Sequence, residues 1–305
     1  MGAGHGYAQA SSGRAHRGRL TAVLVITASV LVLEIVGGLL TGSLALLADA
    51  GHMFTDVAGI GLALLAITVA DRMFAARSTF GFYRLEIFAA AVNAVLLLGV
   101  AVWVVVSAVR RLSEPPEVES GLMLAVAVVG LAANLVGLIL LRTGSRESLN
   151  LRGAYLEVLG DLLGSLAVIV AAVVIALTGE AAADPLASIA IALLIVPRTW
   201  SLLREATEVL LEATPKGVDL DHIRDHVRSV DGVVDVHDLH VWTITSGMPV
   251  LSAHVVVSDE ALAAAGPGPV LDQLALCLSA HFDVDHCTFQ IEPAEHARHE
   301  GSVHP

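Results

Sequence analysis

The chain has 305 residues, of which 55% are hydrophobic, and its mean hydropathy is +0.76. A soluble chain of this length needs far less apolar material, so the composition argues against a soluble protein and points to membrane spans. Residues 1–204 hold 13 basic and 13 acidic side chains, whereas residues 205–305 hold 4 and 17, so the net charge of −13 lies entirely in the last third. We therefore expect an apolar membrane domain followed by an acidic, water-exposed domain.

A helix needs about 20 apolar residues to cross the core of a bilayer. Six segments have this character, and they are Leu20–Leu40, Leu44–Ala70, Ile87–Val109, Leu122–Leu141, Ala154–Leu177 and Pro185–Val196. The sixth is the weakest, because Pro197 and Arg198 are expected to kink the helix or to end it before Leu203. The sequence thus predicts a polar N-terminal tail over residues 1–18 and a domain of six transmembrane helices over residues 19–204.

The arginines predict how these helices are oriented. If the N-terminus is cytoplasmic, the inner segments carry eleven arginines and the outer loops carry only Arg110 and Arg111. Since basic residues favour the cytoplasmic side, we expect both termini to be cytoplasmic. The only two cysteines, Cys277 and Cys287, make a disulfide framework improbable and suit a reducing compartment.

The C-terminal part alternates between helical and extended patterns. The predicted elements, in chain order, are a helix at Asp219–Val230, strands at Val233–Ile244 and Val250–Val257, a helix at Pro269–His281 and a strand at Thr288–Ile291. Residues 205–293 are therefore expected to form a small α-β-β-α-β domain. Residues 294–305 are expected to be a disordered tail.

Titratable residues occur in pairs on two of the predicted spans. His52 and Asp56 are four residues apart on the second span, and Glu157 and Asp161 are four apart on the fifth. At that spacing two side chains share a helix face, with their Cβ atoms about 5–6 Å apart. Two such faces turned toward each other would supply one nitrogen and three carboxylate ligands, enough for a tetrahedral metal site.

Ionised groups are costly in a membrane and usually line a pathway or pair with one another. No Lys or Arg lies within the predicted spans to neutralise three carboxylates, which favours a metal or proton site over structural pairing. Asp49 and Glu34 are further membrane acids that could belong to a proton or ion pathway. Hydrogen bonding between helices is the equally plausible alternative for these two.

Ten of the 13 histidines lie in residues 205–305. His237 and His240 are predicted to lie on opposite faces of one strand, because their offset is odd. His254 on the neighbouring strand and Glu292 after the third strand could join His237. Two further sets are less specific, namely His222 and His226 on a solvated helix face, and His296, His299 and His304 in a tail that could capture metal loosely.

Several long motifs carry a family resemblance. They are GSLALLADAGHMFTD over residues 42–56, FGFYRLE over 80–86, NLRGAYLEVLGD over 150–161, DPLAS over 184–188 and VHDLHVW over 236–242. Together they make the chain, from about Arg19 to Pro293, resemble the cation diffusion facilitator family. The similarity is strongest to its bacterial cobalt-zinc-cadmium resistance branch of zinc/proton antiporters.

The resemblance implies a Y-shaped homodimer with six transmembrane helices and a metallochaperone-like cytoplasmic domain. It implies export of Zn²⁺ from the cytoplasm in exchange for protons, by alternating access, across a bacterial plasma (inner) membrane. We expect no nucleic-acid partner. The transport site implied by the resemblance is His52, Asp56, Glu157 and Asp161, and the implied regulatory site at the tail interface is His237, His254 and Glu292.

The sequence departs from the family pattern at three places. Glu157 stands where many zinc-transporting relatives carry His or Asp, so Co²⁺ or Cd²⁺ could also be accepted. The loop between the second and third spans has no histidine, with Ser78 and Phe82 near the positions that bind metal in some members, so we expect no metal site there. The segment Arg142–Gly153 also lacks histidine.

Two other functions compete with transport. An intramembrane zinc hydrolase would need an open coordination position and a general base, typically in a His-Glu-x-x-His pattern, which this sequence lacks. A membrane-anchored metal sensor would not need buried acids on two spans. We therefore expect a transporter and not an enzyme.

Overall fold

The computed structural model describes residues 6–55, 57–58, 80, 82–142, 149–245, 247–282, 286–297 and 299. The chain divides into two compact units. One, here called the helical unit, comprises Met1–Leu64 and Val92–Leu203. The other, here called the sheet unit, comprises Leu65–Ala91 and Arg204–Pro305.

The first two thirds of the chain are α-helical. The helices are α1 (Gly6–Thr41), α2 (residues 44–55), α3 (Arg84–Ser113), α4 (Ser120–Arg142), α5 (Leu149–Thr178) and α6 (Ala183–Leu210). All but α2 are long and apolar enough to cross a membrane, which confirms five of the six predicted spans. The predicted second span, Leu44–Ala70, is helical where it is described, and residues 56 and 59–70 lie outside the described residues.

Close packing of α4 against α1 and α5 positions the polar groups described below. Small residues allow this packing. A Cβ atom placed on Gly37 of α1 would come within 2.8 Å of the Val126 side chain of α4, so only glycine permits the observed approach. Between α1 and α2, Gly42 adopts φ 72°, a conformation that favours glycine, and the chain reverses within two residues.

One alternative predicted for α6 is wrong. Pro197 and Arg198 were expected to kink the sixth span or to end it before Leu203, and the helix does not end there, because it runs through both residues to Leu210. Proline removes one backbone hydrogen bond, here the bond to the carbonyl of Leu193 four residues earlier, without forbidding a longer helix.

Besides the start of α3 and the end of α6, the described residues of the sheet unit form three strands and four helices. They are α7 (Leu220–Arg228), β1 (Val233–Thr243), β2 (Pro249–Val257), α8 (Asp259–Ala265), α9 (Gly268–His281), β3 (His286–Pro293) and α10 (Ala294–Ala297). The predicted helix and strand order is confirmed, with α8 as an addition. The four-residue α10 lies within the segment expected to be disordered, and residues 298 and 300–305 lie outside the described part of the chain.

The sheet has the order β1-β2-β3, with β2 antiparallel to β1 and parallel to β3. A parallel pair needs a crossover connection, and α8 and α9 supply it. The core beneath the sheet joins Ile223 and Val227 of α7 to Leu251 of β2 and to Leu274 and Leu278 of α9. In β2, Leu251, Ala253 and Val255 face this core, so Ser252 and His254 lie on the opposite face of the sheet.

Candidate metal centres

His52 of α2 and Asp161 of α5 meet inside the helical unit. His52 Nε2 lies 3.6 Å from Asp161 Oδ1, and the two residues are 8% and 2% exposed. The backbone around His52 is held by neighbours, since its carbonyl accepts from Thr55 Oγ1 at 2.7 Å and the Thr55 carbonyl accepts from Asn93 Nδ2 at 3.0 Å. The structure thus joins one ligand from each predicted pair.

The other two predicted ligands cannot be placed. Asp56 lies outside the described residues, and Glu157 is part of α5 but its side chain is also outside them. The four-ligand transport site therefore stays a prediction, of which the His52–Asp161 contact is the described part.

A cavity beside this contact is lined by α2, α5 and α6. His52 and Asp49 lie on one wall, Gly160 and Gly164 on another, and Arg198 of α6 on a third. The predicted sixth span, Pro185–Val196, contains no Lys or Arg, but α6 continues past Pro197 and brings Arg198 to this cavity. A basic side chain therefore lies near the buried acids, although it lies outside the predicted spans.

Asp49 and Glu34 both lie in the interior of the helical unit, each 1% exposed. Their carboxyl groups lie near each other, close enough for one to donate to the other when it is protonated. Asp49 Oδ2 also accepts from Ser165 Oγ at 3.5 Å, and Ser165 Oγ in turn lies 3.4 Å from Asn134 Nδ2. The two acids thus belong to a buried network that spans α1, α2, α4 and α5.

Asp184 is a buried acid that the sequence interpretation used only as part of a motif. From the start of α6 it caps α2, accepting from Ser43 Oγ at 2.6 Å, from Leu44 N at 2.8 Å and from Ala45 N at 3.1 Å. An aspartate at a helix N-terminus satisfies free N–H groups and is favoured by the helix dipole. Arg111 Nη1 lies 3.8 Å away and donates to the Gly42 carbonyl at 2.6 Å. This cap fixes the start of the helix that carries His52.

The second candidate centre lies on the sheet. His237, His254 and Glu292 each offer one ligand atom, and these atoms lie within 4.8 Å of one another. His254 Nδ1 is 2.8 Å from Glu292 Oε1, and His237 Nε2 is 3.5 Å from Glu292 Oε2. The sheet brings them together because His237 is opposite His254 in the β1–β2 register and Val256 of β2 is opposite Glu292 of β3.

The donor set suits Zn²⁺, which binds imidazole nitrogen and carboxylate oxygen with four ligands in all. Glu292 is buried while the two histidines are partly exposed. Gln290 Nε2 donates to Glu292 Oε1 at 2.7 Å, so the carboxylate is held in place as ligands in metal sites commonly are. Three protein ligands leave one coordination position for water or another group.

A bulge in β1 changes the sheet face on which His240 lies relative to His237. His237 is opposite His254, yet His240 is opposite Ser252, so three residues of β1 span two of β2. Asp238 occupies the bulge with φ 49°. Opposed residues share a sheet face, so His237 and His240 lie on the same face and not on opposite faces as predicted. Asp238 was not predicted as a neighbour, and its Oδ2 lies 3.7 Å from His254 Nε2.

Asp235, near the start of β1, forms an ion pair with Arg228 at the end of α7. Partial burial acts to raise the pKa of Asp235, but hydrogen bonds from Arg228 and from the Val236 backbone N–H outweigh it and hold that pKa below its usual value. Arg228 Nη2 donates to Asp235 Oδ1 at 2.6 Å. This ion pair ties α7 to the strand that carries His237.

Five helices long and apolar enough to span a membrane, followed by a small sheet domain with three side chains that could hold a metal ion, are the features of a multi-pass membrane protein with a metal-binding type of domain. Two family models match the chain. The cation efflux transmembrane domain matches residues 20–211, and the cytoplasmic domain of cation efflux proteins matches residues 215–294. The chain belongs to the cation efflux family, which is a family of transporters and not of enzymes.

Known proteins are similar over almost the whole chain. The metal cation efflux system protein CzcD of Cupriavidus metallidurans is 44% identical over 300 residues, covering 97% of this chain and 93% of that protein. The zinc transporter ZitB of Escherichia coli is 42% identical, covering 90% and 87%. The cadmium, cobalt and zinc/H⁺-K⁺ antiporter of Bacillus subtilis is 37% identical, covering 90% and 88%.

One solved structure is also similar in sequence. It is the metal-bound C-terminal domain of the CzcD transporter, which is 37% identical, covers 25% of this chain and 99% of that chain, and has a TM-score of 0.23.

Proposed function

We propose that this protein exports divalent metal cations from the cytoplasm, Zn²⁺ foremost, in exchange for protons. The observation that carries the proposal is the buried contact between His52 and Asp161, which joins an imidazole and a carboxylate from two membrane helices. Membership of the cation efflux family and the names of the relatives support the same activity. Co²⁺ and Cd²⁺ are further candidate substrates.

The proposed transport site is His52, Asp56, Glu157 and Asp161. Metal ligands must be deprotonated to bind, so a metal ion arriving from the cytoplasm displaces protons from these groups. The helices then change conformation and open the site to the outside, where protons compete the metal off. Imidazole titrates near neutral pH, which makes His52 suited to respond to the proton gradient.

The sheet unit has a regulatory role in this proposal. A metal ion bound at His237, His254 and Glu292 would link side chains of β1, β2 and β3 and would offset the negative charge of Glu292 on this face of the sheet. The match to the cytoplasmic domain of cation efflux proteins supports a homodimer assembled through this unit. Both termini are proposed to lie in the cytoplasm of a bacterial cell, with the helices in its plasma membrane.

The test is metal-driven proton flux in proteoliposomes. Asp161→Ala removes a buried carboxylate of the proposed site and is expected to abolish flux, whereas Glu180→Ala removes an exposed carboxylate between α5 and α6 and should leave flux intact. Flux at the wild-type rate in Asp161→Ala would overturn the assignment.

A further inference from the structure

Four polar side chains from four helices meet in the helical unit beside the proposed transport site. They are Glu34 of α1, Asp49 of α2, Asn134 of α4 and Ser165 of α5, and none is more than 2% exposed. Polar groups buried this deeply in a membrane protein are costly and usually serve a function. The role of this cluster is not explained by the metal ligands, which lie elsewhere on α2 and α5.

The neighbouring helices leave room for the two acids. A Cβ atom placed on Gly164 of α5 would come within 2.3 Å of Asp49 Oδ1, and one on Gly130 of α4 would come within 3.0 Å of Glu34 Oε1. Any side chain at Gly164 would displace the Asp49 carboxyl group. The two glycines of α4 and α5 therefore leave the space that the two carboxyl groups occupy.

The closeness of the two carboxyl groups favours a shared proton. Two ionised carboxylates repel each other in a buried place, whereas a protonated carboxyl group can donate to its ionised neighbour. Glu34 Oε2 is buried and has no hydrogen-bond partner among the residues described. This oxygen is therefore available to bind a proton and release it again. Within the same residues, neither acid has a Lys or Arg partner to hold both in the ionised form.

Other charged groups face the pair. The charge of Asp161 on α5 acts on Glu34, and His52 and Arg198 line the same cavity as Asp49. A divalent ion held by His52 and Asp161 would add positive charge nearby and favour ionisation of both acids. Metal binding and proton release are thus coupled by charge, without direct contact between the metal and the pair.

We propose that Glu34 and Asp49 form a proton-binding carboxyl pair that carries one exchanged proton, in addition to the protons displaced from the metal ligands. This inference rests on the proposed transport function. The proton leaves the pair when metal occupies the site and returns from the outside when metal is released. Ser165 and Asn134 orient Asp49 for this exchange.

The experiment measures metal and proton movement together in proteoliposomes that contain the full chain. Glu34→Gln and Asp49→Asn replace each acid by an uncharged side chain of nearly the same shape. Each variant is expected to transport Zn²⁺ with about one proton fewer per metal ion, since one acid alone no longer holds the shared proton. Glu180→Gln, which changes an exposed acid, should keep the wild-type ratio.

Infrared difference spectroscopy of the wild-type protein provides a second measurement that needs no variant to transport. Addition of Zn²⁺ is expected to remove a protonated-carboxyl band, and this band should be absent from both variants. An unchanged proton ratio, or a band that survives in both variants, would overturn the inference.

Calorimetric titration with Zn²⁺ separates the remaining outcomes. Loss of Zn²⁺ binding in Glu34→Gln would make the pair a metal ligand and would also overturn the inference. If Asp161→Ala abolishes flux while Glu34→Gln keeps the wild-type ratio, the transport site stands and only the carboxyl pair fails. Wild-type flux in Asp161→Ala instead identifies failure of the transport proposal.

Discussion

The two candidate metal centres use the same kinds of donor in opposite settings. On the sheet, the register of three strands brings His237, His254 and Glu292 together, and both histidines remain partly exposed. In the helical unit, His52 and Asp161 come from helices far apart in sequence and are almost wholly buried. An exposed site can exchange metal directly with water. A buried site releases its metal only if the helices around it move.

This difference predicts which substitutions harm transport most. The buried centre depends on helix ends and close packing as well as on its ligands, because every change there acts on one packed unit. The centre on the sheet depends mainly on its own three ligands and on Gln290 and Asp238 beside them. Three comparisons between matched residues make this contrast testable.

The largest effect is expected at the cap of α2. Asp184 accepts from two backbone N–H groups and from Ser43, and Arg111 lies nearby, so Asp184→Ala leaves several buried groups without their partner. Breaking such a buried charged contact costs about 3–5 kcal/mol. Thermal unfolding of the purified protein should show this loss, together with loss of metal transport.

The matched control is the cap of α7. Asp219 Oδ1 accepts from Asp221 N at 3.0 Å and from His222 N at 3.3 Å, but this cap is exposed. Asp219→Ala is expected to cost only about 1 kcal/mol, as helix N-caps usually do. Equal destabilisation by the two substitutions would contradict the idea that burial makes the α2 cap important.

The contrast also shows what the sequence can and cannot predict. Local sequence is enough to predict an N-cap such as Asp219, which directly precedes the helix that it caps. Ser258, followed by Asp259 and Glu260, was a similar N-terminal signal for helix α8, which was not predicted. The contact between Asp184 and Ser43 joins residues 141 positions apart, so no local pattern reveals it. Apolar length predicted the spans well because the bilayer sets that length.

The candidate sites follow the same division. Spacing of four predicted that His52 shares a helix face with Asp56 and that Glu157 shares one with Asp161. Of these, the structure shows the contact between His52 and Asp161, and the complete set stays a prediction. Period-two reasoning failed for His237 and His240, because the bulge at Asp238 changes the register of β1. Arg198 was not predicted to lie beside the buried acids, because a proline was expected to kink or end α6 before it. Backbone irregularities, and contacts between distant segments, account for these errors.

A smaller effect is expected from one turn of α5. In Gly164→Ala the new Cβ would lie 2.3 Å from Asp49 Oδ1, whereas in Gly160→Ala nothing lies within 4 Å. Overpacking of this kind costs about 1–3 kcal/mol, and alanine in an open helical position gains up to about 1 kcal/mol over glycine. Gly164→Ala should therefore slow transport and lower thermal stability, while Gly160→Ala should retain both. Loss of transport in both variants would indicate that the cavity, and not the position of Asp49, is what the glycines protect.

The smallest effect on transport is expected at the sheet. Glu292→Gln keeps a side chain of similar shape but removes the charge that binds metal with His237 and His254. The full-length protein should bind about one fewer Zn²⁺ per chain at neutral pH, because a carboxylate ligand is lost from a three-residue cluster. Transport at saturating metal should fall far less than in Asp161→Ala, since the sheet site is proposed to regulate transport and not to carry the ion. Glu295→Gln changes an exposed acid three residues away and should leave both measurements as in the wild type.

Because histidine must be deprotonated to bind metal, the difference in binding between wild type and Glu292→Gln should shrink as the pH falls below neutrality. If Glu292→Gln abolished transport while metal binding in the helical unit persisted, the sheet site would be an obligatory part of the transport cycle, and the contrast between the two centres would fail.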